Sequence, residues 1–371
     1  MELVEHDDLD VLIRVLLDQG YTVVGPTVRD SAIVLAELTG ADQLPSGWGV
    51  ATDAGSYRLV ARDDSAAFAH SAGPQSWKSF IHPAHERITT SDWDESGMVF
   101  RAAAEPRPRY AFLGVRPCDL AAMGVLDGVL ARCAYPDPGY TARRDGVFVV
   151  AVNCTEPAAT CFCVSMGGGP RAQGGYDLVM TERVDDTGHR YVVEAGSEAG
   201  RRVLDSVPHR TADAADVEAA DADLTAAAER MGRDVGRAMP EIDLRQLLAD
   251  NRESPLWDEV ASRCLSCANC TMVCPTCFCT TTEDVTDLTG DHAERWRRWD
   301  SCFNADFSYL HGGAVRTSTA SRYRQWISHK LSTWHDQFGT SGCVGCGRCV
   351  TWCPVGIDIT EEAAKLAGSH D

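Results

Sequence analysis

The pattern C-x2-C-x2-C-x3-C-P occurs twice in this chain. It is formed by Cys264, Cys267, Cys270 and Cys274 before Pro275, and by Cys343, Cys346, Cys349 and Cys353 before Pro354. No other feature restricts the fold as tightly. Three thiolates in one tight loop can grasp three corners of an iron-sulfur cubane, while the fourth, a short helical step later, points away. Each run therefore completes the site of the other. Cys264, Cys267, Cys270 and Cys353 are expected around one [4Fe-4S] cluster, and Cys274, Cys343, Cys346 and Cys349 around a second. Zinc is the competing metal, but it closes with four ligands and does not need two complete runs that each end in Cys-Pro.

Composition bears on the remaining sulfur, because the chain holds 16 cysteines. The opening MELVEHDDLD is acidic where a secretory leader is basic and then apolar, and no run nears the roughly 20 apolar residues of a membrane span. A cytoplasmic location is expected, where thiolates hold metals more often than they form disulfides. The formal charge of -20 argues against wrapping nucleic acid or lying on an anionic membrane.

Along the chain, residues 1–210 read as an α/β domain. An apolar helical face (Leu9, Leu12, Ile13, Leu16, Leu17) precedes β-rich runs at YTVVGPTV, SAIVLAEL and YRLVARDD. A strand at RYAFLGV, a helix over DLAAMGVLDGVLARC and a strand at GVFVVAVNC then form a parallel strand-helix-strand unit, followed by a hairpin at YDLVMTERVDDTGHRYVVEAG. Residues 211–245, rich in Ala and Asp, are expected to be a solvated helical linker. Residues 246–371 read as mostly helical, with Ser254-Pro255 opening one helix and Tyr323, Trp326, Ile327, Leu331 and Trp334 on one face of another.

Cys118 and Cys154 end the two predicted parallel strands and so project from one edge of the sheet, where α/β domains bind their ligands. The loop after Cys154 adds Cys161 and Cys163, so these four thiols are expected to hold a third cluster. Cys133, within the predicted apolar helix, is expected in the core. The GGGP turn at Gly167 follows a cysteine loop rather than a strand, which excludes a dinucleotide loop. Cys277, Cys279 and Cys302 are left over, as lining of a cluster cavity, weak S-H donors or part of a further site. The histidines, among them His311 and His329, show no metal-ligand spacing. Arg295, Arg297, Arg298, Arg316, Arg322, Arg324 and Lys330 make residues 275–342 basic, either as a solvated helical face or as a docking surface for an acidic partner.

The long insert between the runs resembles the α-helical ferredoxin module that serves as a wire inside larger redox complexes. The segments RPCDL, NCTEPAATCFCVSMGGGP, RCLSCANCTMVCPTCFC, RWDSCF, RYRQWISHKLS and GCVGCGRCVTWCPVGIDIT together resemble the β subunit of cytosolic NAD(P)-linked [NiFe] hydrogenases, the sulfhydrogenases. The iron-sulfur subunit of anaerobic sulfite reductase is similar. The resemblance implies a non-catalytic electron-transfer subunit between a flavin subunit that handles NAD(P)H and the small and large [NiFe] hydrogenase subunits, or sulfite reductase subunits. An iron-sulfur redox sensor is a remote alternative, since sensing does not require clusters in series.

Overall fold

The computed structural model describes residues 1–71, 73–103 and 108–368. Its largest sheet has eight strands in the spatial order Arg210–Thr211, Glu2–Glu5, Gly188–Ala195, Leu178–Asp185, Phe148–Val152, Tyr110–Val115, Thr22–Arg29 and Ala32–Glu37. The four strands from Leu178–Asp185 to Thr22–Arg29 pair in parallel, and antiparallel strands flank them. Tyr110–Val115 and Phe148–Val152 are near-continuous apolar runs, as strands buried on both faces must be. Helix Pro117–Leu130 makes the crossover between them, with Pro in its first turn, where a missing N-H costs nothing.

On one face, helix Leu9–Asp18 buries Leu9, Leu12, Ile13 and Leu16 against Val23, Leu113, Val150 and Leu178. Each such side chain contributes about 1.5–3 kcal/mol of transfer energy. Helix Ala214–Arg230 is capped by the Asp213 carboxylate, which accepts from Asp216 N-H, and it buries only a narrow stripe of Asp216, Ala220, Leu224 and Ala227.

Residues 246–368 are not all helical. A hairpin, Thr280–Thr286 with His292–Trp299, interrupts them and pairs through His292–Trp299 with strand His85–Asp94 of the first half, making a four-stranded antiparallel sheet. The Thr-rich first strand and the Trp-containing second favour a pleated surface. The Asp287 carboxylate accepts from Gly290 N-H at 2.7 Å in the turn, and Gly290 takes φ +79°. Arg297, expected on a basic helix, instead pairs in partial burial with Glu86 at 2.6 Å and with Asp137, tying the hairpin to the α/β half.

The helical stripe is present. Tyr323, Trp326, Ile327, Leu331 and Trp334 are all buried, along a helix that runs from Thr319–Ser328 through a π-helical turn, His329–Thr333, into Trp334–Phe338. The helix predicted from Ser254-Pro255 spans Leu256–Arg263. Phe162, from the first half, lies in the same core as Trp326 and Val350, so the two halves share apolar contacts. Among the described residues no helix is long and apolar enough to cross a membrane.

Candidate metal centre

The two cysteine runs fold into the same backbone shape. In the second, Gly345 and Gly347 take φ of +67° and +75°; at the equivalent places in the first, Ser266 and Ala268 take +51° and +65°. Left-handed backbone at two non-glycine residues in one loop is a strain that functional sites retain. It folds Cys264, Cys267 and Cys270 around one centre. These three line a cavity together with Cys353 and with Cys349 of the second run, and Phe303, Tyr323, Trp326 and Ile357 supply an apolar wall.

The buried thiols also act on one another electrostatically. Burial and then Cys302, Cys264, Cys353 and Cys267 push the Cys270 thiol well above its usual range; burial and then Cys343, Cys346 and Cys274 do so for Cys349. Such groups become thiolates when a cationic metal core offsets their charge, so the donor set fits iron-sulfur chemistry. Among the described residues, no three His, Cys, Asp or Glu side chains converge as ligands to a single ion. The cysteines ring a space instead. Cys270 is also among the neighbours of Cys349, so the two sets adjoin.

Cys274 differs from the other thiols. Cys277 hydrogen-bonds to it and Lys330 Nζ donates to its Sγ at 3.3 Å, holding Cys274 well below the usual thiol range. Lys330 also donates to Thr276 Oγ1 at 3.1 Å and to the Gly342 carbonyl at 3.2 Å, fully within the protein. Sequence reasoning placed this lysine on a basic surface. Its position four residues after Trp326 and four before Trp334 was the signal that it shares the buried face.

Cys118 lies in the first turn of helix Pro117–Leu130, and Cys154 follows strand Phe148–Val152 by two residues, so both leave the carboxyl edge of neighbouring parallel strands. Cys154 and Cys161 both act on Cys163, whose thiol burial raises most, and Cys163 is a neighbour of Cys118. Cys346 of the second run is an electrostatic neighbour of Cys118, Cys161 and Cys163. Glycine makes this approach possible: a Cβ on Gly345 would stand 2.5 Å from Cys163 Cα, and one on Gly347 2.4 Å from the Thr160 carbonyl. Phe162 N-H donates to the Gly345 carbonyl at 2.9 Å, and Arg348 pairs with Asp119 at 2.9 Å beside Cys118 and Cys346.

Cys133 is not a core residue. It falls beyond the helix end at Leu130, partly exposed, with its Sγ 3.1 Å from the Tyr135 carbonyl. Of the basic insert, Arg322 is buried against the Arg316 and Thr317 carbonyls, Lys330 is likewise buried, and Arg297 is half-buried in its ion pairs with Glu86 and Asp137. The residues of the GGGP segment form a turn in which Gly167 takes φ +75°. Cys277, Cys279 and Cys302 share a cavity of their own.

Residues 263–357 match the family described as 4Fe-4S dicluster domain. The chain is therefore an iron-sulfur protein of the dicluster, ferredoxin-type class, with an electron-transfer role. It is 31% identical over 251 residues to sulfhydrogenase 2 subunit beta of Pyrococcus furiosus, an alignment that covers 67% of this chain and 72% of the relative. This chain belongs to the family of sulfhydrogenase β subunits. No solved structure matches it.

Proposed function

We propose that this chain relays single electrons between a flavin subunit that handles NAD(P)H and a [NiFe] hydrogenase module, in the cytoplasm, through three cysteine-ligated centres. Cys264, Cys267, Cys270 and Cys353 hold the first; Cys274, Cys343, Cys346 and Cys349 the second; Cys118, Cys154, Cys161 and Cys163 the third. When bound, [4Fe-4S] clusters supply one-electron redox chemistry without proton transfer to substrate. The observation that carries this proposal is the adjacency of the cysteine segments: the Cys163 segment packs on Gly345 beside Cys346, through Phe162 N-H donating to the Gly345 carbonyl at 2.9 Å, and Cys349 lines the same cavity as Cys270.

The chain's own residues then have definable tasks. Phe303, Tyr323, Trp326 and Ile357 keep water from the first set. Lys330 directs a hydrogen-bond donor at Cys274, the kind of contact that sets cluster potential, while the Thr276 hydroxyl donates to the Gly342 carbonyl. Gly345 lets the third set approach the second closely. Neither an acid-base pair nor a nucleophile is required, so hydrogen turnover belongs to a partner.

Affinity purification of the tagged chain from its host tests the assignment. Co-purification of a flavin-bearing chain and a nickel-bearing chain is expected. Siroheme-bearing partners without nickel, or hydrogen oxidation with an artificial dye by the isolated chain, would overturn it.

A further inference from the structure

Cys277, Cys279 and Cys302 belong to none of the three sets, yet the fold gathers them. Strand pairing sets Thr280 opposite Trp299, and the ladder continues through Asp300 N-H donating to the Cys279 carbonyl at 2.8 Å. The register of the hairpin thus brings the Cys-Phe-Cys segment beside Asp300 and Cys302. The three thiols, with Asp300, Lys330, Trp326 and Trp334, line one cavity.

Two further observations mark it as a ligand site rather than packing. The chain has only the lysines Lys78, Lys330 and Lys365, and two of them are buried here. Lys78 Nζ donates to the Cys277 carbonyl at 2.9 Å and lies 3.7 Å from the centre of the Trp299 ring; Lys330 Nζ meets Cys274, Thr276 and the Gly342 carbonyl. Lys330 is answered by the Cys274 sulfur, but among the described residues the Lys78 ammonium has no carboxylate at ion-pair distance. Buried charge of one sign calls for charge of the other. The indole N-H of Trp334, buried in this wall, finds no acceptor within the described chain, nor does that of Trp326, which stands between this cavity and the first. Buried donors left over are the exception in folded proteins, and cluster sulfides are acceptors for such groups.

We propose that this cavity holds a further [4Fe-4S] cluster, ligated by Cys277, Cys279 and Cys302, with the Asp300 carboxylate on the fourth iron. Three thiolates and one carboxylate around such a core leave a net dianion, which the ammonium groups of Lys78 and Lys330 offset. Since these sulfurs, like those of the other sets, do not converge on one point, a single ion does not fit. Cys302 packs in the same core as Cys264 and Cys270, and Lys330 in the cavity wall donates to Cys274 Sγ at 3.3 Å, so the site stands beside both the first and the second sets.

The test is iron and acid-labile sulfide per chain, with Mössbauer and electron paramagnetic resonance spectra, on anaerobically purified wild type and on Cys302→Ser, Cys279→Ser and Asp300→Ala. Both serine variants are expected to lose one cluster's complement of iron and sulfide while the reduced spectra of the other sets persist. Asp300→Ala is expected to form a three-iron signal on mild oxidation, because the iron without a thiolate is lost first. Serine variants with wild-type iron and sulfide, zinc in their place, or wild-type iron fully accounted for by the three other sets would overturn the inference; the last reading needs no variant to fold. Wild type without any iron would sink the relay as well, whereas iron confined to the other sets sinks this site alone.

Discussion

Replacing Arg348 by Met would remove the cation between the second and third thiol sets. Arg348 and Asp119 are each more than nine-tenths buried and 2.9 Å apart, and Arg348 Nε also faces the Gly73 and Gln75 carbonyls at 3.3 and 3.2 Å. At an effective dielectric constant near 20, the gross attraction at that distance is about 6 kcal/mol. Desolvation offsets part of it, and leaving one member of a buried pair alone typically costs about 3–5 kcal/mol. R348M and D119N should each destabilise on that scale. The double variant should lose much less than their sum, since neither charge is then stranded. The assay is a double-mutant cycle on urea unfolding under anaerobic conditions, followed by tryptophan fluorescence. Single effects that add to within about 0.5 kcal/mol would refute the pairing. R348M should also weaken iron retention by the third set, because Arg348 favours the thiolates of Cys118 and Cys346.

Other outcomes follow from the same geometry. Gly345→Ala, at φ +67° and facing Cys163 Cα, should cost about 2–5 kcal/mol and lower the yield of folded chain. Ser266→Gly and Ala268→Gly should each raise the urea midpoint, by relief of left-handed strain worth about 0.5–1 kcal/mol after the entropy of glycine is subtracted. His70 and His82 are held neutral, at about 3 and about 4, by burial and then by Arg116 and Arg297 respectively. The unfolded chain binds protons at these sites first, so stability should fall below pH ~6.5 by about 1.4 kcal/mol per unit for each histidine, down to their folded values. A His82→Gln variant with an unchanged slope between pH 6 and 4.5 would count against this.

Spacing made the ferredoxin-type runs, and with them the dicluster region, legible because cubane geometry constrains residues a few positions apart. The parallel strand pair was equally legible: Tyr110–Val115 and Phe148–Val152 are long, apolar and separated by one helix, which placed Cys118 and Cys154 at one sheet edge. The hairpin Thr280–Thr286 with His292–Trp299 was not. Its Arg-rich second strand lacks apolar alternation, and its pairing partner lies at His85–Asp94, some two hundred residues earlier, beyond any local pattern. That omission hid the gathering of Cys277, Cys279 and Cys302, which hairpin register alone produces. Cys133 was misplaced for a smaller reason, since the helix stops at Leu130 and turns its last residues outward.

The central claim is that these thiols hold redox-active iron-sulfur centres in electronic contact. A potentiometric titration of the anaerobically purified chain, followed by electron paramagnetic resonance, tests it most directly. Iron and acid-labile sulfide should be present, and reduction should produce interacting [4Fe-4S] signals; Cys270→Ser should alter one cluster's signal and Cys349→Ser another's, each removing the coupling between them. A chain that carries zinc without iron, or iron whose signals neither couple nor respond to either substitution, would contradict it.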